Sequence, residues 1–184
     1  MSGPGFSGTV MDPTGAPLAG ASISSVPRVT RYTKLFAGSA RTRSAKDGSF
    51  TLLVPPDPNL EIVASHANWA LSAPERFEIV AGTERTDVEL HLRVGGTITG
   101  IVYDGSGEAY EGAYLSVGSL RHFSHGGGTT QEVRTDSSGR FRVERVPPEE
   151  ITIFATNHRG GLLARKVVSL APREVLEVAL GKKP

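Results

Sequence analysis

The sequence predicts an all-β protein made of two tandem antiparallel β-sandwiches, with about seven strands in each. Three observations predict it. Apolar residues alternate with period two and never hold a helical period over three turns. Short clusters of Gly, Pro, Asp and Ser punctuate the alternating runs. The whole pattern is also written twice within 184 residues.

The repeat is read directly. SGTVMDPTGAPLAGASIS (residues 7–24) aligns with TGIVYDGSGEAYEGAYLS (99–116), pairing Gly8 with Gly100, Val10 with Val102, Asp12 with Asp104, Gly15 with Gly107 and Gly20 with Gly112. RSAKDGSFTLLVPP (43–56) then aligns with RTDSSGRFRVERVPP (134–148), pairing Gly48 with Gly139 and Phe50 with Phe141. Two copies follow, 1–94 and 95–184. The junction RVGGTITG (93–100) is short, which predicts a fixed pair with a bend at Gly95-Gly96.

Each element has a local reason. Phe50, Leu52 and Val54 share one strand face with Thr51 and Leu53 opposite. Leu60, Ile62 and Ala64 alternate with Glu61, Val63 and Ser65, and Ile151, Ile153 and Ala155 with Thr152, Phe154 and Thr156. Val88, Leu90 and Leu92 alternate with Asp87, Glu89 and His91. Each run is expected to bury one side. In DPTGAP and DGSGEA the Asp side chain caps local backbone N–H groups and Gly takes the positive φ. KDG and DSSG read as hairpin turns, and the Pro-Pro pairs as edge or corner connections.

Composition excludes several classes. The formal net charge is +1; the first 93 residues carry nine basic and nine acidic side chains, the rest eleven and ten. Neither half has the excess that neutralises phosphates, so no nucleic-acid partner is expected. There is no Cys, hence no disulfide, thiolate site or Cys nucleophile. MSGPGFSG lacks the basic and apolar regions of a secretory signal, and no apolar run approaches the ~20 residues of a membrane span, so no membrane insertion is expected.

These motifs resemble the carboxypeptidase regulatory-like domain, a transthyretin-like (prealbumin-like) fold. The family's Asp-x-x-Gly-x-Pro-Leu-x-Gly-Ala segment stands complete at residues 12–21, and copy two keeps Asp104, Gly107, Gly112 and Ala113. Its Thr-Asp-x-x-Gly-x-Phe segment stands complete at 135–141, while copy one has Ser44 and Ala45 in place of Thr and Asp. The resemblance implies two seven-stranded antiparallel Greek-key sandwiches and a non-catalytic structural or protein-interaction module. It implies a spacer in a larger bacterial envelope or surface assembly, as a monomer or part of a longer polypeptide.

Catalytic readings find little support, and no catalytic, cofactor or metal residue is assigned. No His-x-x-Glu or His-Glu-x-x-His occurs, nor a Gly-x-Ser-x-Gly elbow. A hydroxyisourate hydrolase would end in Tyr-Arg-Gly-Ser, whereas this chain ends LGKKP. Tyr103, Tyr110, Tyr114 and His158 lack a dioxygenase-like spacing. The first strands hold no Lys for an isopeptide crosslink. One alternative stays open: a small metal-dependent enzyme using His122 and His125 of LRHFSHGGGTTQ, which would need a further ligand.

Binding readings centre on two matched segments. Residues 24–46 hold Arg28, Arg31, Lys34, Arg41, Arg43 and Lys46 with Tyr32 and Phe36 among them, and no acid. This is a candidate cationic face for an acidic protein partner or anionic surface glycan, set against a plain solvated strand face. The matching segment of copy two carries Arg121, His122, Phe123 and His125 in a Gly-rich setting. Trp69 is expected to pack an end of the sandwich; in the alternative reading, a carbohydrate-binding module, it would stack on a sugar. Edge strands offer strand addition as a further route.

Overall fold

A computed structural model describes residues 5–27, 40–54, 60–77, 84–119 and 131–182. The chain divides into two compact units, Met1–Arg93 and Val94–Pro184. Fourteen strands and no helix are present among the described residues.

Unit one contains β1 (Gly5–Met11), β2 (Ser22–Pro27), β3 (Arg41–Arg43), β4 (Ser49–Leu53), β5 (Leu60–Ser65), β6 (Glu75–Phe77) and β7 (Glu84–His91). They form a three-stranded sheet in the order β4-β1-β7 and a four-stranded sheet in the order β3-β2-β5-β6. β5 returns past β3 and β4 to lie beside β2, a Greek-key connection. Unit two repeats this with β8 (Gly96–Val102), β9 (Tyr114–Gly118), β10 (Gln131–Arg134), β11 (Arg140–Val146), β12 (Glu150–Thr156), β13 (Leu162–Ser169) and β14 (Val175–Leu180). Its sheets run β11-β8-β14 and β10-β9-β12-β13.

Inward residues of both sheets fill each core. In unit one Phe6, Val10, Phe50, Leu52, Val88 and Leu90 meet Ile23, Ile62 and Ala64. In unit two Ile98, Val102, Phe141, Val143, Val178 and Leu180 meet Leu115, Val117, Ile151 and Ile153. The paired phenylalanines Phe50 and Phe141 thus sit at matching core positions, as period two requires.

Three sequence expectations need correction. The sheets are not wholly antiparallel: β1 pairs with β7 in parallel, and β8 with β14. Alternation records which face is buried and carries no strand direction. The KDG and DSSG turns are not hairpins. β3 and β4 lie in different sheets, as do β10 and β11, so each turn carries the chain across the sandwich. Turn chemistry fixes the reversal and leaves the pairing partner to the core. Finally, β5 and β12 do not bury one side only. Glu61, Val63 and Thr152 are buried on the face away from the core. Both are interior strands of four-stranded sheets, where neighbours on either side shield the outer face.

Four of the recurring glycines answer to backbone proximity. A Cβ on Gly8 would collide with the Val88 carbonyl, and one on Gly100 with that of Val178. These are the carbonyls of the parallel neighbour, so the β1–β7 and β8–β14 pairs close only over Gly. Gly48 and Gly139 have φ of 78° and 69°, and a Cβ there would lie 2.8 and 2.9 Å from the Val10 and Val102 carbonyls.

Candidate functional site

The polar groups of the turns are spent on local backbone. Asp12 Oδ1 accepts hydrogen bonds from the Thr14 N–H (2.8 Å), the Thr14 hydroxyl (2.6 Å) and the Ala16 N–H (3.1 Å). Asp104 Oδ1 does the same with the Ser106 N–H, the Ser106 hydroxyl and the Glu108 N–H. The Thr14 hydroxyl is the main cause holding the Asp12 carboxyl below its usual range, and the Ser106 hydroxyl does so for Asp104. Asp136 Oδ1 accepts from the Ser138 and Arg140 N–H groups. Copy one has Ala45 at that place, and Asp47 two residues later accepts from the Ser49 N–H and hydroxyl instead. A fifth turn, unforeseen in the sequence, is capped by Asn157 through the Arg159 and Gly161 N–H groups. Its signal was Asn-x-x-Gly-Gly at 157–161.

The motif Thr also has a structural task. The Thr135 hydroxyl accepts from the Ala113 N–H (2.8 Å) and donates to the Tyr110 carbonyl (2.7 Å). Ser44 makes the matching pair with the Ala21 N–H (2.9 Å) and the Leu18 carbonyl (2.6 Å). Each hydroxyl ties the segment before the second strand to the segment before the crossover turn. The motif residues are therefore architectural, and none points to chemistry on a substrate.

Of the candidate partner-binding residues, Arg41 and Arg43 are described. Both are exposed and, two apart on β3, share one face of an edge strand. At the matching positions β10 carries Glu132 and Arg134, so the two copies present different charge on equivalent edges. Arg28, Arg31, Tyr32, Lys34, Phe36, Arg121, His122, Phe123 and His125 lie outside the described residues.

Trp69 is partly buried and packs on the unit-one core, with His66 and Trp69 joined by an isolated bridge. Tyr110 packs on the unit-two core, whereas Tyr114 is exposed on the outer face of β9. There the Arg134 guanidinium lies 4.1 Å from the Tyr114 ring centroid and donates to its hydroxyl. Arg165 similarly lies 5.7 Å from the Phe154 ring. Sequence reading missed both stacks, which depend on register between strands far apart in sequence. Among the described residues, no three His, Asp or Glu side chains group where they could hold a metal ion.

The sequence matches the carboxypeptidase regulatory-like domain twice, over residues 5–93 and 97–180. No curated protein sequence matches the chain. Among solved structures it is similar to a streptococcal ancillary pilin, at 18% identity and TM-score 0.43, over all of this chain and 63% of the other. It is also similar to a minor pilin of Streptococcus agalactiae, at 11% identity and TM-score 0.41, over 98% of this chain and 96% of the other. Against the Bacillus anthracis TIE protein the identity is 13% and the TM-score 0.37, and the chain's 99% coverage spans only 34% of that protein. At these values the structural neighbours carry no argument, and the family match stands on its own. Matched in both halves over nearly its whole length, the chain belongs to the carboxypeptidase regulatory-like domain family, as two tandem copies.

Proposed function

We propose that the chain is a non-catalytic structural and protein-interaction module, a tandem-sandwich spacer in a larger bacterial envelope or surface assembly. One observation supports this most. Both copies commit the polar residues at matching motif positions, Asp12 and Asp104, Ser44 and Thr135, to internal bracing. On their exposed edges the copies diverge in charge, as with Arg41 against Glu132. A rigid scaffold with variable edges is the arrangement expected of a recognition module. The cationic edge at Arg41 and Arg43 suits an acidic protein partner.

Crosslinking of the purified chain to bacterial envelope fractions tests this, with Arg41→Glu/Arg43→Glu as the comparison. A protein partner captured by the wild type, released by salt and lost in the double variant supports the reading. A glycan-array signal that disappears in Trp69→Phe would replace it with the carbohydrate-binding alternative. Phe keeps most of the packing, so such a loss would report sugar contact rather than misfolding.

A further inference from the structure

We propose that the free edge of β13 is a strand-addition site for an acidic, extended segment of a partner protein. Among the described residues, β13 ends the four-stranded sheet of unit two and pairs with β12 on one side only. The register shows which of its backbone groups are unspent. The Leu170 N–H donates to the carbonyl of Glu149 across from it, which sets the phase of the ladder, while the Glu149 N–H turns to the Pro147 carbonyl. Bonded pairs alternate along an antiparallel ladder. Ile151–Val168 and Ile153–Lys166 are therefore bonded pairs, and the N–H and C=O groups of Arg165 and Val167 point away from β12.

The remaining edges of unit two are shorter than β13, and two of them are interrupted. β11 carries a register shift between Val143 and Val146, with Arg145 inside it at φ 55°. β14 has one carbonyl, that of Ala179, capped by the Lys166 ammonium at 3.4 Å. β10 has four residues. β13 has eight, and it exposes Leu162 (62%) and Val167 (46%) where a protected edge would be polar.

Charge selects the occupant. β13 carries Arg165 and Lys166 and no acid. The incoming strand would place side chains directly opposite these two, one on each face, so carboxylates at neighbouring positions are favoured and cations opposed. The other eight-residue edge, β7, bears Glu84, Asp87 and Glu89 against Arg85, so its net negative charge disfavours the same segment. Strand addition supplies affinity through main-chain bonds and specificity through alternate side chains. The proposal does not depend on the envelope setting or on the β3 edge.

The register also supplies the test. Val167→Pro removes an N–H that points outward, so the sheet's own ladder survives while an added strand loses a donor. The probe is a short synthetic peptide alternating valine with glutamate, with a valine–lysine peptide as control, added to the isotope-labelled full chain. Expected are amide shifts and exchange protection at Arg165 and Val167 with the glutamate peptide alone. Affinity should fall with salt and drop about tenfold or more in Val167→Pro. Arg165→Glu, which keeps every backbone group, should also weaken binding. No binding below ~1 mM would overturn the proposal. So would shifts centred elsewhere, or equal binding by the lysine peptide or by a folded Val167→Pro. Concentration-dependent self-association lost in Val167→Pro would assign the edge to a second copy of this chain and overturn the acidic partner.

Discussion

Replacing Ser44 by Ala isolates the hydroxyl brace in a unit that carries its own reporter. Ser44 is buried, and its hydroxyl is the bridge between the Ala21 N–H at 2.9 Å and the Leu18 carbonyl at 2.6 Å. Ala21 is fully buried, so the variant strands a donor that water does not reach. An orphaned buried donor costs roughly 1–3 kcal/mol, and the partly exposed Leu18 carbonyl adds less because solvent replaces its partner. The expected loss is about 1.5–3 kcal/mol, or ~1–2 M in the urea midpoint of a small domain. Trp69 is the sole tryptophan and packs on the unit-one core, so its fluorescence follows this unit. Ser44→Thr is the control. Thr135 makes the same two bonds in copy two, so Thr should hold stability within ~1 kcal/mol. A Ser44→Ala midpoint indistinguishable from wild type would refute the brace. Equal damage from Thr and Ala would show that packing, not hydrogen bonding, governs the site.

Gly100→Ala should collapse the β8–β14 pair, since the new Cβ meets the Val178 backbone; calorimetry should show unit two destabilised by at least ~3 kcal/mol. Arg173 sits at φ 63°, so Arg173→Gly should relieve left-handed strain and stabilise the protein by ~1 kcal/mol in thermal melting. The Asp12 carboxyl is held below the usual carboxylate range in the folded chain, chiefly by the Thr14 hydroxyl. A depressed folded pKa contributes stability above the unfolded value, lost as pH falls through the folded one. Urea midpoints read through Trp69 should therefore decline below about pH 4, and less steeply in Asp12→Asn, whose carbonyl still accepts.

How much of this was legible in the sequence depends on how local each cause is. The duplication, the strand faces of Phe50, Leu52, Val88 and Leu90, and the Asp12 and Asp104 caps all act within a few residues and could be read. The parallel β1–β7 pairing could not, because Gly8 and Val88 are distant in sequence and their contact is backbone on backbone. The role of Ser44 was hidden for the same reason: its partners lie at Leu18 and Ala21, reached only after the crossover turn is in place. The candidate cationic face was legible as composition. Its geometry is seen at Arg41 and Arg43, and only there does the structure decide that two cations share a side.

The two copies separate what the fold needs from what it leaves open. Ser44 and Thr135 differ in residue yet make the same two bonds, and Asp47 takes over a capping duty that Asp136 performs from another position. Interior geometry thus tolerates changed side chains provided the backbone groups are met, because an unmet buried donor costs more than a made bond returns. Edge positions carry no such demand, and Arg41 against Glu132 reverses charge on the same rung without touching either core. On the proposed function, a scaffold of this kind would change partners by surface substitution alone. The place to look for what distinguishes one copy from the other is therefore its edges, as at β3 in the first and β10 in the second.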